Sequence, residues 1–463
     1  MARTTKISYD SDSSPKKRVA KSATARALSA SEIARNPAHF ETWSSYQGCE
    51  IAAYSDLPQE LAQIVTDVLN LSSRLPRAWA DPTSAYYQSM QSSCSPGFLG
   101  LFAEAYKSCP GMFSDDIDAT EASSLRLFDD LRCVYIAHER LLRLQSSEGA
   151  VSEASMVANV YEVIRSSAAS TSSYRAKCSI TLAQPLERLS ITTDSLRILS
   201  AATVIPDAAL FVPSLSIRDL SHSTTSAFKT LKRSPRTGKP ATFAAQATPC
   251  TQLPALPAFE FIASVWEDKK PTQTAVEDAY RQNRMSTTAA VRHLHAMHIH
   301  APVFGLTWAD GVVRAHVDWA TGDWDTSPAV HSAPYPGVDI SNDVHLFREW
   351  HLKKPADAIA VFLLVRNIDT YASGVLVQRV RDGVERLADS VVQQRVPFRA
   401  WKRVGKLNVT PLREKKVLRN SNSGDSAKEN TTEQSSVEPP PVKRTKRTTR
   451  RRRSSPRSSF SPA

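Results

Sequence analysis

The chain has 463 residues and a formal charge of +12, but residues 36–400 hold 33 Lys+Arg against 38 Asp+Glu, so the basic excess sits at the two ends. An acidic body argues against a broad nucleic-acid-gripping surface, because phosphate neutralisation drives that kind of affinity. Six scattered cysteines without a C-x-x-C, no run of about 18 apolar residues and no apolar leader point to a soluble intracellular chain, with no disulfide frame, zinc knuckle or membrane span.

Residues 1–35 are rich in Ser, Lys and Arg and are expected to be a disordered basic tail. Pro15, Lys16, Lys17 and Arg18 within it read as a nuclear-import signal or as ordinary solvated charge. Residues 36–150 carry helical periodicity. Leu57, Leu61, Ile64, Val65 and Val68 form one apolar stripe, and Leu127, Phe128, Leu131, Val134 and Leu141 form another. No chemistry is visible there, and the region reads as a helical layer that packs on a sheet or binds a partner.

Residues 151–400 read as an α/β (α+β) domain. An amphipathic helix over 154–167 presents Met156, Val157, Val160, Tyr161 and Ile164, with Glu162 as a spare carboxylate or a plain surface residue. Residues 189–193 and 196–199, split by Asp194 and Ser195, predict a β-hairpin or one bent strand. Pro206 and Asp207 then open the apolar run 208–212, and a second apolar run over 259–266 ends in Glu267, Asp268, Lys269 and Lys270. Between them, 221–257 is polar and reads as a long inserted loop whose Lys229, Lys232, Arg233, Arg236 and Lys239 are solvated or touch a nucleic-acid backbone. Period-two alternation puts Glu267 and Lys269 on one face of the second strand, and neighbouring strands would bring Asp207 to them. Two carboxylates suit a hard divalent cation, and a lysine beside them can steady developing negative charge.

A capping box from Thr274 to Glu277 predicts a helix that continues, past the polar stretch 282–288, to Leu294. His293, His295, His298 and His300 crowd its end without the i, i+4 pairing of a helical metal site. Asp310 and Gly311 predict a hairpin between 303–308 and 312–319, and 346–352 is a further candidate strand. A buried helix over 358–365 and an amphipathic one over 375–392 complete the domain. Residues 401–463 form a second basic tail expected to be disordered, with clusters at 443–447 and 450–453 that read as import-receptor or nucleic-acid contacts.

Pro206-Asp207 and Glu267-x-Lys269, in this order around a strand pair and followed by a helix, resemble the half-motifs of the PD-(D/E)xK nuclease superfamily. With Val303-Phe304-Gly305-Leu306-Thr307 after the helix, residues 155–320 are also similar to the region preceding the kinase domain of fungal-type protein kinases. The resemblance implies a restriction-endonuclease-like mixed sheet flanked by helices, and the basic tracts at both ends point to a nuclear protein. Asp207 and Glu267 would hold Mg²⁺ and Lys269 would be catalytic on DNA or RNA. Asp268 and Lys270 offer a competing register, and the interval from Asp207 to Glu267 is longer than the family's. Tyr280 and Gln282 match a Gln and Tyr of that helix only loosely. H-R-D, D-F-G, G-x-x-x-x-G-K-[ST], G-x-S-x-G and H-E-x-x-H are all absent, so the choice lies between the acidic–lysine site and a catalytically inactive nuclease-like scaffold or interaction protein.

Overall fold

The computed structural model describes residues 26–146, 151–186, 191–233, 237, 242–269, 275–324, 326–336, 347–403 and 407. In chain order the elements that position the site begin with α1 (Pro37–Gln47), β1 (Cys49–Ile51), α2 (Gln59–Leu69), α3 (Pro96–Ser108) and α4 (Ala122–Ser146). They continue with α5 (Glu162–Ala168), β2 (Ser173–Ala176), α6 (Thr193–Leu199), β3 (Ala208–Phe211) and β4 (Ile262–Lys269). The last are α7 (Ala275–Ala296), β5 (Val303–Ala309), β6 (Val312–Thr321), β7 (Ala329–Pro334), β8 (Trp350–His351), α8 (Pro355–Ser373) and α9 (Val375–Gln393).

The architecture is mixed α/β, an eight-stranded mixed sheet flanked by helices. Its order is β1-β7-β6-β5-β4-β3-β2, with β8 paired to β6. β2, β3 and β4 run antiparallel in succession, and β4 and β5 are parallel because α7 makes the crossover between them. The β5–β6 hairpin turns on Asp310 and Gly311, both at positive φ (50° and 74°), as a tight two-residue turn requires.

α7 covers one face of β4, β5 and β6, while α8 and α5 cover the other. α8 explains its own burial. Every residue from 358 to 365 is apolar and buried, so it packs on all sides, against α2, α3, α4 and the sheet. Together with α9 it forms a segment, Pro355–Gln393, long and apolar enough on length and composition to cross a membrane, which the sequence reading did not expect. Here 67% of its most apolar window is buried inside the fold, and Gly374 breaks the helix in two. The N-terminal helices hold an aromatic core, in which Trp79, Phe98 and Phe102 each lie 5.1–5.6 Å from Phe128. The same region lends the sheet an edge strand, since β1 pairs in parallel with β7.

Four expectations change. The hairpin over 189–199 is instead helix α6, because the Thr192 hydroxyl accepts the Ser195 N–H at 3.1 Å and turns Asp194-Ser195 into a first helical turn; residues 189 and 190 lie outside the described residues. The inserted loop contains helices at Asp219–His222 and Ala227–Leu231, anchored where Phe228 and Phe243 meet Phe259 at 5.5 and 5.9 Å. Arg236 and Lys239 fall outside the described residues, as does Thr274 of the expected capping box. The strand expected over 346–352 shortens to β8, with residue 346 also outside. Lastly, both expected tails contribute ordered residues to the fold. A Ser29/Glu32 capping box nucleates the helix Ala30–Arg35, which buries Ile33, and Trp401, Lys402 and Arg403 are buried at the other end.

The polar stretch of α7 does not interrupt it, because its side chains are buried and, Ser286 apart, its polar side chains are bonded. Asn283 donates to the backbone carbonyls of Val265 and Leu306, 3.0 Å each, and so pins the helix to two adjacent parallel strands. Its carbonyl oxygen meets His316 Nε2 at 2.9 Å, and His316 Nδ1 meets Asp318 Oδ1 at 2.8 Å. Gly305 leaves the room for this imidazole, since a methyl group there would overlap both His316 and Asn283. Gly305→Ala is therefore expected to destabilise the protein by about 3 kcal/mol, read as a drop in the thermal midpoint.

Candidate active site

The β3–β4 register decides where the expected residues go. Ala208 faces Trp266, so one step further Asp207 comes opposite Glu267. The Asp268 N–H donates to Asp207 Oδ2 at 2.6 Å, which fixes the aspartate across the end of the pair. Glu267 and Lys269 share a face, as alternation requires, and the Lys269 ammonium is ion-paired to Glu267 Oε1. From α7, Gln282 Oε1 lies 3.5 Å from the same ammonium. Asp207, Glu267 and Lys269 thus meet at one corner of the sheet. Gln282 of the loosely matched pair joins them, whereas Tyr280 points elsewhere, its hydroxyl 3.4 Å from Ser332 Oγ.

Burial dominates the electrostatics. Glu267 is 1% exposed, and its Oε2 is buried with no hydrogen-bond partner. Desolvation pushes its carboxyl up to about 8, opposed by Lys269 and reinforced by the negative charge of Asp207.

A residue the sequence reading missed completes the corner. Lys177, just past β2, has φ 52° and donates its backbone N–H to the Asp207 carbonyl at 2.9 Å, while its ammonium is ion-paired to Asp207 Oδ1. The bond to Asp207 holds the Lys177 ammonium above its ordinary range. A lone lysine after an edge strand carries no signal in the sequence; only the β2–β3 pairing brings it in.

Asp268 takes the opposite face. Arg165 of α5 grips it with two nitrogens, one at 3.0 Å, and stacks 4.2 Å from the Trp308 ring. Both are buried, which removes the competing register from the candidate site; Lys270 lies outside the described residues. Glu162 belongs to this side as well, accepting the Tyr174 hydroxyl at 2.6 Å and lying 3.5 Å from Arg165. Of the histidines, His293 stacks on Phe261 at 5.1 Å and on Trp401 at 4.9 Å, and burial lowers it to about 3.

Among the described residues no group of three or more His, Cys, Asp or Glu side chains is arranged to hold a metal ion. The donor set for a cation at the corner is therefore two carboxylates. Such a set would suit Mg²⁺, which is commonly held through one or two carboxylates plus substrate phosphate and water, and Glu267 Oε2 is the carboxyl oxygen there left without a partner. Both lysines would have to yield part of their contacts to such an ion.

No family model matches the chain, and no curated protein is significantly similar to it.

The raised Glu267 carboxyl has a measurable consequence. A group whose folded pKa lies above its unfolded value adds stability that is full at low pH and is lost as pH climbs from the unfolded value to the folded one. Stability should therefore decline between about pH 4.5 and 8 through Glu267. Glu267→Gln, which cannot ionise, is expected to flatten that slope in denaturant titrations across the same window.

Proposed function

We propose that this chain is a nuclease-like protein of the PD-(D/E)xK type, with a restriction-endonuclease-like core, that hydrolyses phosphodiester bonds in DNA or RNA with Mg²⁺. The meeting of Asp207, Glu267 and Lys269 at the lip of β3 and β4 carries the reading. The succession of helix α5, antiparallel strands β2 to β4, helix α7 and parallel strand β5 supports it.

In this reading Asp207 and Glu267 hold the cation, which when bound supplies Lewis-acid polarisation of a phosphate oxygen. Lys269, fixed between Glu267 and Gln282, orients the attacking water and stabilises charge growing on the phosphate. Lys177, its side chain 69% exposed, is the cation best placed to meet an incoming phosphate group. The basic clusters at 15–18, 443–447 and 450–453, outside the described residues, would serve nuclear import or backbone contact.

One observation favours a second reading, a catalytically inactive scaffold in the nucleus. Lys177 and the Asp268 N–H engage both oxygens of Asp207, and Lys269 engages one of Glu267, so three of the four carboxyl oxygens at the corner are already taken without a metal.

Cleavage of DNA and RNA by the full chain with Mg²⁺ or Mn²⁺ separates the two. Activity should fall by about 100-fold or more in Asp207→Ala and in Lys269→Ala with the fold retained. Wild-type protein that cleaves neither polymer leaves the scaffold. Lys177→Ala, which frees Asp207 Oδ1, is expected to lower the Mg²⁺ concentration needed for half-saturation, read by calorimetry.

A further inference from the structure

Away from the carboxylate corner, the C-terminal half of α7 and the returning segment 396–402 enclose a cavity of about 430 Å³. Arg292, Lys402, His295, Trp324, Phe398 and Trp401 are among its walls, and no Asp or Glu occurs among the described residues that line it.

Arg292 is the anomaly. It is 4% exposed, and it donates only to neutral oxygens, Gln47 Oε1 at 2.7 Å and the Gln184 carbonyl at 2.6 Å. Its Nε is buried without a partner. Burial, and then the positive charge of Arg399, push it down to about 10. Among the described residues nothing of opposite sign pairs with this desolvated guanidinium, which is costly unless an anion completes the site. Lys402 is also buried: its ammonium donates to the carbonyls of Thr248 (3.2 Å) and Cys250, which leaves one of its three protons, and burial outweighs the Glu260 charge that favours its protonated form.

The remaining walls are flat and apolar. Trp324 is half-buried, with the His295 ring 4.9 Å from it, and burial lowers His295 to about 4, so at neutral pH that imidazole is an uncharged ring. The volume lies in the range of small-molecule sites, larger than a bare inorganic anion needs.

We propose that this cavity binds a nucleoside 5′-monophosphate, its phosphate on Arg292 and Lys402 and its base against Trp324 and Phe398. Guanidinium and ammonium supply the donors a phosphate monoester accepts, and the aromatic walls supply the surface a base stacks on. The site is separate from Asp207 and Glu267, and its occupancy does not require the chain to cleave nucleic acid.

Calorimetric titration of the full chain in EDTA tests it, with AMP, inorganic phosphate and adenosine as probes. AMP is expected to bind at least tenfold more tightly than either phosphate or adenosine. Arg292→Met should weaken AMP at least tenfold while keeping the wild-type far-UV circular dichroism spectrum. Trp324→Leu should keep phosphate binding and lose the preference for AMP. Lys269→Ala, at the other site, should bind AMP as wild type does. No binding of AMP, equal affinity for adenosine, or unchanged affinity in both Arg292→Met and Trp324→Leu would overturn the proposal. So would loss of binding in Lys269→Ala, which would place the nucleotide at the carboxylate corner.

Discussion

The structure turns on one constraint: β4 is buried along nearly its whole length, yet it ends in three consecutive ionisable residues, Glu267, Asp268 and Lys269. A strand held between α7 and α8 cannot carry charge into the interior unless each charge is matched or removed. The pleat divides the problem in two. Asp268, facing α5, is matched by Arg165, itself enclosed by Trp266, Trp308 and Tyr161. Glu267 and Lys269, facing α7, answer each other, and Asp207 arrives with Lys177 as its own counter-charge. The neighbouring elements can be read as the partners this strand end demands.

That division explains why an extended triplet is informative where a scattered acid or base is not. The alternation rule locates Glu267 and Lys269 on one face because it follows from backbone geometry alone, and the structure has them there. Asp207 was legible through its place immediately before an apolar run. Lys177 and Gln282 reach the corner through strand pairing and helix packing, which single-sequence periodicity does not encode. Arg292 was invisible for a further reason, since a helical arginine normally reads as solvent-facing. Likewise, Asp194-Ser195 satisfies both a turn and a first helical turn, and the Thr192 hydroxyl decides between them.

The polar residues of α7 extend the same logic. A helix crossing a parallel strand pair usually presents apolar side chains to it, whereas here Asn283, Thr287 and the His316–Asp318 pair form a bonded network beneath the helix. Such a network tolerates few alternatives, because each member left unpaired in the interior costs the desolvation of a polar group. It therefore sets the axial position of α7 on the sheet. With that position set, Gln282, one residue before Asn283, is delivered to Lys269. The register of the helix and the geometry of the corner are one problem solved by one residue pair.

The charge state of the corner follows from these contacts. With Glu267 pushed up to about 8, its side chain is mostly protonated at neutral pH, so the α7 face carries Lys269 and Lys177 against Asp207 alone. The corner is then net positive, a state that attracts a phosphate group before it attracts a cation. In the nuclease reading proposed above, a cation held by Asp207 and Glu267 would have to displace the Glu267 proton, because a carboxyl group ligates as its anion. Binding of phosphate, uptake of metal and release of that proton would then be reciprocally coupled. The buried, unpartnered Oε2 of Glu267 is where that coupling would act: protonated, it is a tolerable interior group, and ionised, it would need a counter-charge such as a cation to offset its burial.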